Sequence, residues 1–267
     1  MSATRVDLFD STYRHFASEV LTDIRREAFG DDIGQNSWLT LDEYDRFIAW
    51  LNLRPDEHVL EVACGSGGPA RYLAQQTDCR VCGLDSNEYA VGTATRMGTQ
   101  DAVTFIHADA NDPLPFANGE FDAVVCVDSM NHFPNRLSVL WEWHRVMRSG
   151  ARAVFTDPVV VTGPVTNEQF AIRSSIGTFV FVPQDVNEQL IELAGFRLIL
   201  QQDVTSNAAL VAGRWYRARE RHRNELLSSE GRHRFEGLQE FFATVHRLAS
   251  ERRLSRIAYL VEKPATT

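Results

Sequence analysis

Three acids sit where apolar runs stop. Glu61 lies in Val59-Leu60-Glu61-Val62-Ala63-Cys64-Gly65-Ser66-Gly67-Gly68. Asp85 closes Val81-Cys82-Gly83-Leu84-Asp85 about 20 residues after the glycines, and Asp109 follows in His107-Ala108-Asp109-Ala110. Glycines at a strand-to-helix turn let backbone approach a ligand closely and adopt positive φ. A carboxylate at the end of the next strand can accept both hydroxyls of a ribose, and one at the third can accept from an adenine amino group. Each residue also has a blander reading, Gly65 and Gly67 as a tight turn and the two aspartates as helix N-caps. A second group, Asp128-Ser129-Met130-Asn131-His132-Phe133, ends a fourth apolar run. His132 titrates near neutral pH and can take a proton from an acceptor, or pack and cap the helix starting near Pro134. Asp128 can bind substrate, or serve as an N-cap or behind a cofactor.

Regular alternation must place these residues. Strand patterns at His58–Ala63, Cys79–Asp85, Val103–His107, Phe121–Asp128 and Ala151–Asp157 alternate with helical patterns at 69–76, 89–97 and 135–147. Near-continuous apolar strands separated by helices predict a parallel sheet covered on both faces. Ahead of it, Tyr13, Phe16, Val20, Ile24 and Phe29 recur at helical spacing, and a second helix carries Leu41, Tyr44, Phe47, Ile48 and Leu51. After Asp157 an irregular stretch leads to a helix at 186–194 and a strand at 196–204. Two Arg-rich helical segments at 208–227 and 235–251 follow, and then a last strand at 254–261. The reading is one domain over 1–267: a helical cover at 1–53, a ligand-binding core at 54–157, acceptor-side insertions at 158–253 and a final strand at 254–262.

Composition narrows the partners. With Lys+Arg 27 against Asp+Glu 36, the net charge is −9, which repels a phosphate backbone and argues against nucleic acid. Basic residues do concentrate in Arg214–Arg223 and Arg252–Arg256, where they read as solvated helix faces. No run approaches the ~20 apolar residues of a membrane span, and Met1–Glu19 has no apolar leader segment. Four cysteines lie in or beside apolar runs, and the CxxC spacing of Cys79 and Cys82 falls within a strand, so reduced thiols of a cytoplasmic protein are expected. The pattern leaves oligomeric state open between monomer and homodimer.

The motifs from Glu61 to Gly67, Asp85, Asp109 with its Pro113-Leu114-Pro115-Phe116, and Phe121-Asp122-Ala123-Val124-Val125-Cys126 resemble the class I S-adenosylmethionine-dependent methyltransferases. The resemblance covers about residues 35–157. It implies an α/β, Rossmann-like sheet of seven strands with the last antiparallel, helices on both faces and a helical cover over the active site. It also implies S-adenosyl-L-methionine as cofactor. Gly65 and neighbouring backbone would meet its methionine part, and the Val127 carbonyl its amine. Asp85 would hold the ribose, and Asp109 with the Ala110 amide would frame the adenine. Ser37, Glu61, Ala63, Gly67 and Ser86 complete the expected cofactor contacts.

Asp128 and His132, Thr156-Asp157, and Gly195-Phe196 with Gln202-Asp203-Val204 are similar to the phosphoethanolamine and glycine–sarcosine N-methyltransferases. That likeness implies His132 and Tyr13 as a catalytic pair. From the residues themselves, Trp38 reads as lining the cover by cation–π contact or as plain core, and Asp128 and Arg173 as facing the acceptor. The apolar stretch around Arg173 suits a more hydrophobic acceptor than a phosphobase. Asp128 and Asp157 end adjacent strands as in magnesium-dependent enzymes, but Pro158 stands where those place an Asn, so no metal is expected. The resulting expectation is methyl transfer to an amine nitrogen or hydroxyl of a small molecule, with carbon methylation also possible. A nicotinamide oxidoreductase is the alternative from another class, but it needs a full GxGxxG, and no Tyr-x-x-x-Lys follows. A non-catalytic cofactor-binding protein is the third reading.

Overall fold

In the computed structural model, which describes residues 8–98 and 102–265, the alternation of β1 (His58–Val62) sets the layers. Leu60 and Val62 face one core, with Leu84, Val124 and Trp143. Val59 faces the other, with Ala70, Leu73 and Val154. A strand buried on both faces sits inside a parallel sheet. Residues 1–7, part of the stretch read as having no leader, lie outside the described residues.

Three helices precede it, α1 (Phe9–Arg14), α2 (Glu19–Phe29) and α3 (Leu41–Leu51). The single helix expected over Tyr13–Phe29 is therefore two. The chain turns at 15–18, where Arg25 donates to the Phe16 carbonyl at 2.8 Å and lies 4.0 Å over the Phe16 ring. After β1 come α4 (Gly68–Thr77), β2 (Arg80–Asp85), α5 (Glu88–Arg96), β3 (Val103–His107), β4 (Phe121–Cys126), a 3₁₀ turn (Met130–His132) and α6 (Arg136–Val146). Then follow β5 (Met147–Val161), α7 (Asn167–Arg173), β6 (Val182–Pro183), α8 (Val186–Leu193), β7 (Arg197–Asp203), α9 (Thr205–Arg221), α10 (Arg223–Ser250) and β8 (Leu254–Glu262).

The sheet order is β3-β2-β1-β4-β5-β8-β7, with β6 pairing β5. Pairings from β3 across to β5 are parallel, and β8 is antiparallel to both β5 and β7. The seven expected strands are present, and β6 makes an eighth too short to have a pattern of its own. β5 outruns its expected 151–157 because β8 pairs along its length, with a register shift between Asp157 and Val160. Pro158, which has no N–H to give the ladder, sits in that irregularity. The two Arg-rich helices pack on each other, and α10 kinks at Gly231 (φ 77°). Strand order reverses between β1 and β4, and that reversal opens a crevice at the C-terminal strand ends.

One buried cation closes the crevice from behind. Arg256 on β8 has no exposed surface and binds Glu43 of α3 at 2.6 Å and Asp128, just past β4, at 2.6 Å. The other Asp128 oxygen accepts the Trp38 amide at 2.8 Å, and Asn207 of α9 donates to the Trp38 carbonyl at 3.2 Å. The N-terminal cover is thereby tied to the first-half strands and to the last strand. Arg256→Met leaves two buried carboxylates without their cation. It is expected to cost about 3–5 kcal/mol of unfolding free energy at neutral pH, read by urea titration. The deficit should shrink in acid, because the orphaned carboxylates bind protons more tightly folded than unfolded.

Candidate active site

The crevice is a cavity of about 760 Å³ running beneath the cover, within the range that holds small molecules and cofactors. The three strand-end acids meet at one end. Asp85 accepts from the Gly65 amide and the Asn87 amide, each at 2.8 Å, so it stiffens the glycine turn. It is not the cap of α5, because Asn87 takes that position and accepts from Ala90 N at 3.0 Å. Burial raises the Asp85 pKa while these two amides oppose the rise. Asp109 accepts from the Asn111 amide at 2.9 Å.

Strand alternation turns Glu61 inward beneath α4, 3% exposed, where Oε2 has no partner. Burial first, and then the charge of Asp85, push it up to about 8. Ser37, Ala63, Gly65, Ser86, Ala110 and Val127 line the same end. The Val127 carbonyl accepts from the Ser129 hydroxyl at 3.1 Å.

Gly67 does not join them. Its φ is +73°, and a Cβ there would lie 2.3 Å from the Phe105 ring, so this glycine lets α4 start against β3. Tyr13 also departs from expectation. Its hydroxyl lies over Gly65, where a Cβ would come within 2.8 Å, and takes a hydrogen bond from Asn36 Nδ2 at 3.3 Å. Burial and the charge of Asp85 hold the phenol protonated. Tyr13 therefore closes the glycine turn and forms no hydrogen-bonded pair with His132.

His132 stands at the other end of the cavity, in the 3₁₀ turn after β4. Nδ1 donates to the Thr178 carbonyl at 2.9 Å. A carbonyl can only accept, so the proton is on Nδ1 and the lone pair on Nε2. Phe9 and Phe179 set ring edges against it at 5.6 and 4.8 Å. Burial among them, with the Arg173 charge adding, lowers its pKa below the usual 6.5. It does not cap α6, whose cap is Asn135.

Arg173, in the last turn of α7, is 2% exposed and lines this end. Its guanidinium lies 5.1 Å over Phe179 and 5.1 Å over Phe241. Trp38 and Asp128 reach the cavity wall but are committed elsewhere. The Trp38 indole stacks on Phe241 and meets Phe242 edge-on, while Asp128 takes Arg256, Thr156 and the Trp38 amide. Both residues thereby fasten the cover while lining the cavity. Asp157 is likewise paired, with Arg136 at 2.5 Å and Asn187 at 2.9 Å.

Glu43 escaped the sequence reading, and Arg256, read there as part of a solvated helix face, is instead fully buried in β8, where an arginine inside Leu254–Val261 is out of place in an apolar strand. The aromatics around His132 and Arg173, which are Phe9, Phe179 and Phe241 on three separate segments, carried no joint pattern. Among the described residues no cluster suited to a metal occurs, and no helix is long and apolar enough to cross a membrane.

A Rossmann-like sheet with acids near three successive strand ends, facing one cavity under a helical cover, defines the class of fold. Residues 60–155 match the methyltransferase-domain family. The chain is 29% identical to 27-O-demethylrifamycin SV methyltransferase of Amycolatopsis mediterranei, over 83% of this chain and 81% of that one. It is 32% identical to sarcosine/dimethylglycine N-methyltransferase of Halorhodospira halochloris, over 65% and 63%. Phosphoethanolamine N-methyltransferase 2 of Haemonchus contortus superposes with a TM-score of 0.80 at 17% identity, over 96% of this chain and 60% of that one. The chain thus spans less than two thirds of the last two. These matches support an S-adenosylmethionine-dependent methyltransferase and lend no support to a nicotinamide oxidoreductase.

Glu61 yields a prediction for the ligand-free protein. Its folded pKa of about 8 lies above the ordinary 4.5, so between those values the folded chain holds the extra proton and stability falls as pH rises. Glu61→Gln should remove that slope, so that near about pH 8.5 the ligand-free variant melts no lower than the parent. Thermal denaturation across pH checks this.

Proposed function

We propose that this protein methylates a small molecule at an amine nitrogen or a hydroxyl, inside a single cavity that serves both reactants. The observation that carries the proposal is the unbroken run of that cavity from Glu61, Asp85 and Asp109 to His132 and Arg173. S-Adenosylmethionine, when bound, supplies a methyl carbon on a sulfonium, which bonds to the acceptor atom as the carbon–sulfur bond breaks and its electron pair returns to sulfur.

The residues fit that group. The unpartnered Glu61 Oε2 is an acceptor lacking a donor, and Asp85 and Asp109 offer carboxylate oxygens at neighbouring strand ends. Gly65, Ala63 and Val127 bring backbone to the cavity, with Ser37, Ser86 and Ala110 beside them. In this reading Asp85 takes the ribose hydroxyls, and Asp109 with the Ala110 amide takes the adenine. The cover excludes water, which strengthens every electrostatic contact inside.

His132 is the proposed general base. Thr178 holds the imidazole in the tautomer that leaves Nε2 free, and desolvation keeps it neutral at physiological pH. The proton of a hydroxyl or ammonium acceptor passes to Nε2 and from there to solvent.

Net charge and the roofed acceptor end favour a small molecule over nucleic acid. Four buried, unpaired cysteines suit a reducing, cytoplasmic setting. Relatives named for oxygen, nitrogen and sterol carbon methylation all occur among the matches, so the choice of a nitrogen or hydroxyl rests on the site and not on them.

A panel of amines, phenols and hydroxy acids, followed by mass spectrometry for the gain of one methylene, tests this function. Failure to bind S-adenosylhomocysteine in calorimetry, with no methylated product, would sink it. His132→Gln should lower kcat roughly 10²–10⁴-fold on a protonated acceptor. In the parent, kcat/KM should stay flat through neutral pH and fall only below the ordinary imidazole value of 6.5, since the depressed pKa keeps the base form available to lower pH. Full activity of His132→Gln across that range would remove the base assignment.

A further inference from the structure

The arginines that line the cavity are not alike. Arg25 pairs with Asp32 at 2.9 Å, Arg219 pairs with Glu230, and Arg234 pairs with Glu230 at 3.1 Å. Arg173 has no hydrogen bond or ion pair among the described residues, and its Nη1 is buried without a partner. The acids that act on it, Asp128 and Asp157, do so only through space, and both are already paired to Arg256 and Arg136. Burial pushes the guanidinium down to about 10, so it remains charged at neutral pH. Two phenyl faces, Phe179 and Phe241, give it some compensation but cannot replace an anion. A desolvated, unpaired charge is costly unless a counter-charge arrives with a ligand.

The surroundings define that ligand. His132 touches the same Phe179 ring from which Arg173 is 5.1 Å away, so the free Nε2 and the unpaired cation flank one space. The walls there include the rings and aliphatic carbons of Phe9, Ile176, Phe179 and Phe241, and the Asn131 amide, whose side-chain atoms have no partner, lines the same cavity. Low-polarity walls strengthen Coulomb forces. An amine acceptor gains positive charge as it is methylated, and Arg173 opposes that gain. A hydroxyl that has given its proton to His132 is an anion, and Arg173 attracts it.

We propose that Arg173 is the anion anchor of the acceptor end, and that the acceptor is an acidic hydroxyl compound, a phenol or enol on a flat apolar body, held as its oxyanion. The inference rests on the methyl-transfer reading of this cavity and decides between its two acceptor atoms.

The matched pair 4-nitrophenol and 4-nitroaniline tests it, with the full chain loaded with S-adenosylhomocysteine and binding followed by absorbance. The parent should bind 4-nitrophenolate about tenfold or more tighter than 4-nitroaniline, and lower the bound phenol's apparent pKa. Arg173→Met, which keeps the stem and removes the charge, should abolish both effects while S-adenosylhomocysteine affinity stays within about twofold, and Arg173→Lys should restore part of the preference.

Without ligand, Arg173→Met should melt at or above the parent temperature, since it removes an unpaired buried charge. A preference below tenfold in the parent, its persistence in Arg173→Met, or a drop in that variant's ligand-free melting temperature would each overturn the proposal. Loss of S-adenosylhomocysteine binding by the parent would instead strike the methyl-transfer reading, which separates the two failures.

Discussion

A guanidinium with no exposed surface sets the geometry of this molecule. Arg256 lies on the antiparallel last strand, yet its partners are Glu43 in the N-terminal cover and Asp128 at the end of β4. Asp128 passes the constraint on by accepting the Trp38 amide with its second oxygen. Three stretches far apart in sequence are therefore held around one charge. Buried ion networks of this kind add little net stability over apolar packing, but they punish any arrangement that leaves a charge alone. That makes them suited to holding a cover in one place. The cavity beneath has its present shape because the cover is fastened at its base by charges and further out by rings, where Trp38 packs on Phe241 and Phe242.

The two ends of the cavity differ in how they treat charge. At the strand ends, amides solvate the acids: Asp85 receives two of them. At the His132 and Arg173 end, rings from Phe9, Phe179 and Phe241 press on the charged groups, so charges are felt strongly. One cause, desolvation, thus accounts for the elevated Glu61 carboxyl, the neutral His132 imidazole and the eased Arg173 guanidinium. The Glu61 oxygen and the Arg173 guanidinium are both left unpartnered, one acidic and one basic, at opposite ends. A donor at the first and an anion at the second would complete what the chain itself leaves open.

Much of this was legible beforehand, because strands buried on two faces read as continuous apolar runs and the acids fall where those runs stop. Glu61, Asp85 and Asp109 converge as their spacing required, since parallel strands of one sheet all end on the same side. His132 reaches the cavity for the same reason. Gly67 packs against Phe105, which no pattern foretold, because a glycine needed for a ligand and one needed beside a ring look identical in sequence. Tyr13 was misplaced because its helix breaks at 15–18, which shifts every residue before the break relative to the sheet.

Periodicity was enough to establish the sheet and its covering helices, since these follow from local pattern and from the fixed direction of parallel strands, while the class of ligand came from the resemblance carried by the motifs at the strand ends. The partners of each charged side chain were decided only in three dimensions. Glu43 and Arg256 are separated by 213 positions, and no local pattern relates them. Whether an arginine is paired, as Arg256 is, or bare, as Arg173 is, depends on which distant acids the packing brings within reach. The sequence therefore pointed to methyl transfer, and the tertiary structure decided which charged side chains at the far end of the cavity are paired and which are bare.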